Sequence, residues 1–212
     1  MSTPSPSRAS YHHGDLRQAL LSAGIELAST GGPDAVVLRE ATRRVGVSPN
    51  AAYRHFADRE ALLAAVVDAA QARLAEHIDA EFALVSASNP VDIARGHLRA
   101  VGSAYVRFAL DEPGMFRTAF FVPADLEEAA SPTRVGPSGR TPFELLGDSL
   151  DELVASGAMP PHRREGAEFL AWSSVHGLAM LLIDGPLRAL PRPHADATTQ
   201  RVIDMVEAGL TA

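Results

Sequence analysis

The sequence predicts an all-α protein in two parts, a three-helix N-terminal domain and a C-terminal helical bundle. Three observations point there. Ala, Leu, Arg and Glu dominate, and the few β-branched residues fall inside helical patterns, so strand signals are weak. Apolar residues recur at i, i+3, i+4, i+7 spacing along much of the 212-residue chain. Clusters of Gly and Pro then cut the chain between those stretches.

Residues 1–14 read as a flexible arm, Ser- and Pro-rich at its start. Leu16, Ala19, Leu20, Ala23 and Leu27 share one face of a first helix, Asp15 to Thr30, which Gly31, Gly32 and Pro33 stop. A second helix runs from Leu38 to Val45 and ends at Gly46. Ser48 caps a third, short helix with Pro49 at its first position, and that helix reaches Phe56. Asp58 caps a fourth, long helix from Arg59 to Val85. Asn89 and Pro90 precede a fifth, Val91 to Leu110, and Pro113 starts a short sixth through Met115 and Phe116. Residues 122–139, with three Pro and two Gly, read as a long mobile loop. Further helices span Thr141 to Ser156, His162 to Asp184 and Ala195 to Gly209. The expected division is arm 1–14, first domain 15–60 and second domain 61–212.

Composition narrows the classes. No apolar run is long enough to span a membrane, and the first ten residues lack a secretory h-region, so a cytoplasmic location is expected. Cysteine is absent, which removes disulfides, thiolate metal sites and cysteine nucleophiles. The net charge of −7 is unevenly spread. Up to residue 60, seven Arg face six acids; beyond it, twelve Arg face twenty. The first part therefore suits a polyanion better than the total suggests.

Leu38 to Phe56 carries the most information. Two short helices joined by Gly46-Val47-Ser48 make a helix-turn-helix, whose second helix enters the DNA major groove. Ala41, Val45 and Val47 supply apolar contacts between the helices, and Gly46 permits a left-handed turn residue. Small Ala51 and Ala52 let the second helix sit close to a neighbour or to DNA.

From Gly31 to Leu63 the chain resembles the DNA-binding domain of TetR-family regulators. The resemblance rests on the Gly46-Val47-Ser48 turn and on Tyr53-Arg54-His55-Phe56 followed by Asp58-Arg59-Glu60-Ala61-Leu62. Trp172-Ser173-Ser174-Val175-His176-Gly177 is similar to a ligand domain of the family's Trp-His-Gly (WHG) subgroup. The resemblance implies an N-terminal three-helix DNA-binding domain with a C-terminal bundle for ligand binding and dimerisation. It also implies a homodimer, usually a repressor, that a small-molecule effector releases from a palindromic double-stranded operator.

The candidate DNA-binding residues are Arg39, Ser48, Pro49, Asn50, Tyr53, Arg54, His55 and Arg59. Asn50 can bond adenine bidentately, or, at a helix start, can meet only water or phosphate. Tyr53 and His55 match family positions that touch phosphate; against this stand simple packing of the Tyr53 ring and a solvated His55. Arg59 starts a helix, where backbone N–H groups also attract phosphate. Arg8, Tyr11, His12 and His13 form an arm that could reach the minor groove. A metal reading of His12, His13 and Asp15 is weak. At Val37 the family usually has a Ser or Thr cap and phosphate donor, so no contact is expected there.

Candidate ligand-binding residues are His97, Tyr105, Phe108, Phe116, Phe120, Phe169, Trp172 and His176. They are to line a cavity between helices, although aromatics at helical spacing are often simply core. Trp172 and His176 lie one turn apart on one face. Leu178, Leu181, Leu182, Val202, Ile203, Val206 and Leu210 are the expected dimer surface. No cofactor, metal or membrane is expected. A helical enzyme, the chief competing class, finds no triad, no phosphate loop and no paired metal spacing; His162 and Glu165 stand alone. The intact Gly46-Val47-Ser48 turn and Tyr53 argue against a helical interaction module that has lost DNA binding. A regulator that activates, or that binds DNA without a ligand, fits the same residues as a repressor does.

Overall fold

The computed structural model describes residues 13–123 and 131–212, with side chains from Leu16 onward. Arg8, Tyr11 and His12 of the expected arm lie outside the described residues, as does the side chain of His13. Among the described residues there are nine α-helices and no strand. They are α1 (His13–Gly31), α2 (Leu38–Val45), α3 (Pro49–Ala52), α4 (Arg59–Phe82), α5 (Pro90–Asp111), α6 (Pro113–Phe121), α7 (Pro142–Ala155), α8 (Ala167–Ile183) and α9 (Arg192–Thr211).

The chemistry at the helix starts explains most of these boundaries. Asp58 Oδ1 accepts from Ala61 N at 2.7 Å, and Asn89 Oδ1 accepts from Asp92 N at 2.9 Å. Thr141 and Glu144 form a reciprocal capping box at α7, with bonds of 3.2 and 2.8 Å. Helix α2 starts at Val37 without a side-chain cap, as the sequence implies.

Helix α5 runs through the centre of the C-terminal bundle and packs on α4, α6, α7, α8 and α9. Its buried Leu98, Val101, Ala104, Tyr105 and Phe108 form the middle of one continuous core that extends from Leu20 to Leu210. Helix α4 serves both halves: it packs on α1 at one end and on α5, α6 and α7 along its length. The start of α6 meets the end of α1 so closely that a Cβ on Gly114 would collide with the Ala28 and Ser29 carbonyls.

Two expectations change. The described half of the long loop is tied down rather than loose. Arg134 is buried and donates from Nε to Asp68 Oδ1 at 2.8 Å, while Thr133 Oγ1 donates to Asp68 Oδ2 at 2.8 Å. Pro132–Arg134 forms a 3-10 turn there, and Ser138 N donates to Asp79 Oδ2 at 3.0 Å. The expected dimer surface is also redrawn. Leu178, Leu182, Ile203 and Leu210 are buried within their own chain, because α8 and α9 turn those faces onto α5 and each other. Leu181 of the expected set does face outward, 44% exposed, as do Leu170 and Met205, 63% and 62% exposed.

Candidate functional site

The helix-turn-helix is built by local signals that agree. Gly46 takes a left-handed conformation at φ 75°, and the Gly46 and Val47 amides both donate to Thr42 O, at 3.0 and 3.1 Å. Ser48 takes extended backbone, Pro49 opens α3, and the Ser48 hydroxyl makes no capping bond. Ala52 and Phe56, one turn apart, are buried and hold α3 and the turn after it against the domain. The Arg17 guanidinium carbon sits 5.0 Å from the Phe56 ring centroid. With that side fixed inward, Ser48, Pro49, Asn50, Tyr53 and Arg54 are all exposed, and Tyr53 shows 56% of its surface. His55 is half-buried.

Charge on this face is selective. Arg43 makes a bidentate pair with Glu40 at 2.9 and 2.6 Å, and Arg44 reaches Glu40 and Glu26. Hydrogen bonding from Arg43 holds the Glu40 carboxyl at about 2, below the usual carboxylate range. Those two Arg are thus largely compensated within the domain. Arg39 and Arg54 are exposed and, among the described residues, have no acidic partner. Arg59 needs correction. Its Nε and one terminal nitrogen donate to the Val36 and Pro33 carbonyls, both at 2.8 Å, so the guanidinium ties α4 to the segment before α2. It is not turned out as a phosphate donor.

A second feature lies in the bundle. A cavity of about 540 Å³ is lined by residues of α4 to α9 and by Arg134. Its wall includes Tyr105, Phe120, Phe169, Trp172 and His176 from the expected set. Trp172 Nε1 donates to the Tyr105 hydroxyl at 3.0 Å, and that oxygen lies 2.8 Å from His176 Nδ1. Burial lowers the His176 pKa, which favours the neutral ring, and raises that of Tyr105, which keeps its proton.

His97, Phe108 and Phe116 do not belong to this wall. His97 is turned to Glu152, 2.6 Å from Nδ1, and stacks on Phe82 with centroids 4.4 Å apart. Phe108 and Phe116 are fully buried; Phe116 stands behind the wall with its ring 5.8 Å from that of His176. The residue that sequence reasoning missed is Gln71 on α4, which lines the cavity and donates from Nε2 to Ala119 O of α6 at 2.9 Å. A signal existed: Gln71 lies in the apolar stripe that contains Leu74 and Ile78. Arg134 is also on the wall and was not anticipated, whereas Phe143 lies there with the other aromatics of the later helices.

Among the described residues, no group of three or more His, Asp or Glu is arranged to hold a metal. No described helix is long and apolar enough to cross a membrane.

Comparison with known proteins agrees in both halves. Residues 20–66 match the family described as bacterial regulatory proteins, tetR family. Residues 98–206 match the family described as Tetracyclin repressor-like, C-terminal domain. No curated protein matches the chain. Among solved structures, a protein of unknown function from Rhodococcus sp. RHA1 is 28% identical, with 97% of this chain and 100% of that one covered at a TM-score of 0.75. A TetR-family transcriptional regulator from Pectobacterium atrosepticum is 21% identical, with 97% and 98% covered at a TM-score of 0.64. FadR from Bacillus subtilis, solved with stearoyl-CoA, shares the fold at 14% identity, with 91% and 98% covered and a TM-score of 0.67.

Proposed function

The chain belongs to the TetR family of bacterial transcriptional regulators, and from that premise we propose that it is a cytoplasmic, homodimeric repressor released from a palindromic operator by a small molecule held in the bundle cavity. In this reading Asn50 reads a base edge, while Ser48, Pro49, Tyr53, Arg54, His55 and Arg39 meet the backbone and the groove rim. Helices α8 and α9 form the dimer surface through outward Leu170, Leu181 and Met205. Pairing places two recognition helices at one fixed spacing, which a palindrome matches.

One observation carries the proposal. Helix α4 begins at Arg59, clamped to the carbonyls before α2, and continues unbroken to Gln71 in the cavity wall. In this reading α4 has a second arrangement, and a molecule that binds the two unequally shifts the DNA-binding domains. The stearoyl-CoA complex of FadR, a protein of the same fold, supports a ligand role for the bundle. The test is footprinting of the purified protein on genomic fragments, the region upstream of its own gene included. The expected result is a protected, roughly palindromic site that is lost in an Asn50→Ala, Tyr53→Ala variant. A folded dimer that protects no fragment above background, with any co-purified ligand removed, overturns the reading.

A further inference from the structure

The cavity wall is informative about the polarity of its occupant, because most polar groups on it are already engaged within the protein. Trp172 Nε1–H can only donate, and the Tyr105 oxygen accepts from it at 3.0 Å. Tyr105 is buried, and His176 Nδ1, 2.8 Å away, is the one acceptor within reach of its hydroxyl proton among the described residues. If Nδ1 carried a proton, the Tyr105 O–H would have no acceptor, an expensive state for a buried donor. Nδ1 is therefore bare, and the proton of the neutral ring sits on Nε2. The Tyr105 hydroxyl is already committed on both sides and is not an anchor.

Nε2 has no hydrogen-bond partner among the described residues. Yet the sealed side-chain polar atom without a hydrogen bond among them is Arg95 Nε, which lies 3.4 Å from Glu207, and not His176 Nε2. His176 Nε2 is thus not sealed off, and His176 is one of the residues that line the cavity. It offers a ligand one directed donor.

The other wall groups disfavour charge. No Asp or Glu lies on the described wall, so a cation finds no counter-ion. Arg134, the wall's guanidinium, is already paired with Asp68 at 2.8 Å, and an anion would have to compete for it. Gln71 is neutral, and its amide already donates to Ala119 O. Apart from Ser173, whose hydroxyl donates to Leu170 O at 3.3 Å, the remaining surface consists of rings and aliphatic groups, among them Phe120, Phe143, Phe169 and Trp172.

We propose that the cavity selects an uncharged, flat apolar molecule bearing a carbonyl acceptor, of the ketone or ester kind, and that His176 Nε2–H is the group that recognises it. The inference rests on the cavity being the effector site.

A displacement assay on the full-length dimer separates the two claims. Nile red, an uncharged dye, is bound first and read by its emission. Four 2-substituted naphthalenes then compete: 2-acetylnaphthalene, 2-ethylnaphthalene, 2-naphthoate and 2-naphthylmethylamine. The ketone is expected to displace the dye at about tenfold lower concentration than the ethyl compound, the worth of one hydrogen bond. The two ions are expected to compete more weakly than either. In a His176→Phe, Tyr105→Phe double variant, which removes the ring donor without freeing the Tyr105 hydroxyl, the ketone's advantage over the ethyl compound disappears. A naphthoate that competes best, or a ketone advantage that survives in that double variant, overturns the ligand class. Nile red that fails to bind, or that binds a folded Ala171→Trp variant equally well, overturns the cavity reading and the class with it. The ranking in the wild-type protein stands as a test even where Ala171→Trp does not fold.

Discussion

Gln71 on α4 and Ala119 on α6 are joined by a side-chain to backbone hydrogen bond of 2.9 Å at the edge of the bundle cavity. The reason lies in the sequence. Ala119 is in the last turn of α6, and the residue four positions on is Pro123, which has no N–H to give. The Gln71 amide supplies the donor that the helix lacks. Replacing it with Leu keeps most of the volume and leaves a half-buried carbonyl unpaired. We expect Gln71→Leu to lose about 1–3 kcal/mol of stability. In a chain of this size that is a fall of several degrees in Tm. An unchanged Tm in thermal unfolding would show that the bond contributes nothing in solution.

The exposed face of α3 divides by role. Asn50 and Tyr53 are exposed and lie outside the buried core, so their truncation should change Tm little. Asn50→Ala is expected to weaken the specific site by about 1–3 kcal/mol and to spare non-specific DNA. Tyr53→Phe, which removes only the hydroxyl, should weaken both in parallel. Fluorescence anisotropy on operator and scrambled duplexes distinguishes them. Equal losses on both duplexes for Asn50→Ala would remove it as a base reader.

Arg39 and Arg54 are exposed and have no acid partner among the described residues, whereas Arg43 and Arg44 are paired to Glu40 and Glu26. Alanine at Arg39 or Arg54 should reduce the slope of log affinity against log salt by about one unit each. Alanine at Arg43 should change it little. The same titrations across salt concentrations decide this, and a full unit lost at Arg43 would mean that its Glu40 pair opens on DNA.

Gly114 tests the junction between the two halves. A Cβ there meets the Ala28 and Ser29 carbonyls, which are backbone and cannot swing aside. Gly114→Ala should therefore separate α6 from the end of α1, at a cost of about 1–3 kcal/mol. Urea unfolding with an unchanged m-value and a lower midpoint is the expected signature. A variant as stable as the parent would mean that the two helices do not approach so closely.

How much of this was legible depends on how local each cause is. Gly46, Pro49 and Asp58 act within one turn of the chain, so α2 and the starts of α3 and α4 could be read from sequence, whereas α3 stops at Ala52 and not at the expected Phe56. The pairing of Trp172 with His176 could also be read, since both lie on one face of α8. Which aromatics reach the cavity could not. Phe116 and Phe120 are one turn apart, and only the angle at which α6 crosses α5 decides that Phe120 lines the space while Phe116 lies behind it. Arg134 looked like a loop residue because its partner, Asp68, lies 66 positions away in the chain. The exposure of Leu181 against the burial of Leu178 and Leu182 is settled in the same way, by what α8 packs on.

His176 gives the last prediction, in the pH dependence of stability. Burial lowers its folded-state pKa below the ordinary 6.5, so the native ring resists a proton that the unfolded chain accepts. Between the two values the unfolded state binds more protons, and stability rises with pH. The contribution of the neutral ring is fully present above about 6.5 and is lost as pH falls through that window toward the folded value. The Tyr105 hydroxyl sharpens the effect, because a proton on Nδ1 would turn its partner from acceptor to donor. Urea unfolding at pH 5, 6, 7 and 8 should therefore show stability falling on the acid side. In His176→Phe, which cannot titrate, the part of that slope centred just below 6.5 should vanish, whatever the variant's absolute stability. An identical slope in both proteins would mean that other groups carry the dependence and that the ring is not held neutral by its burial.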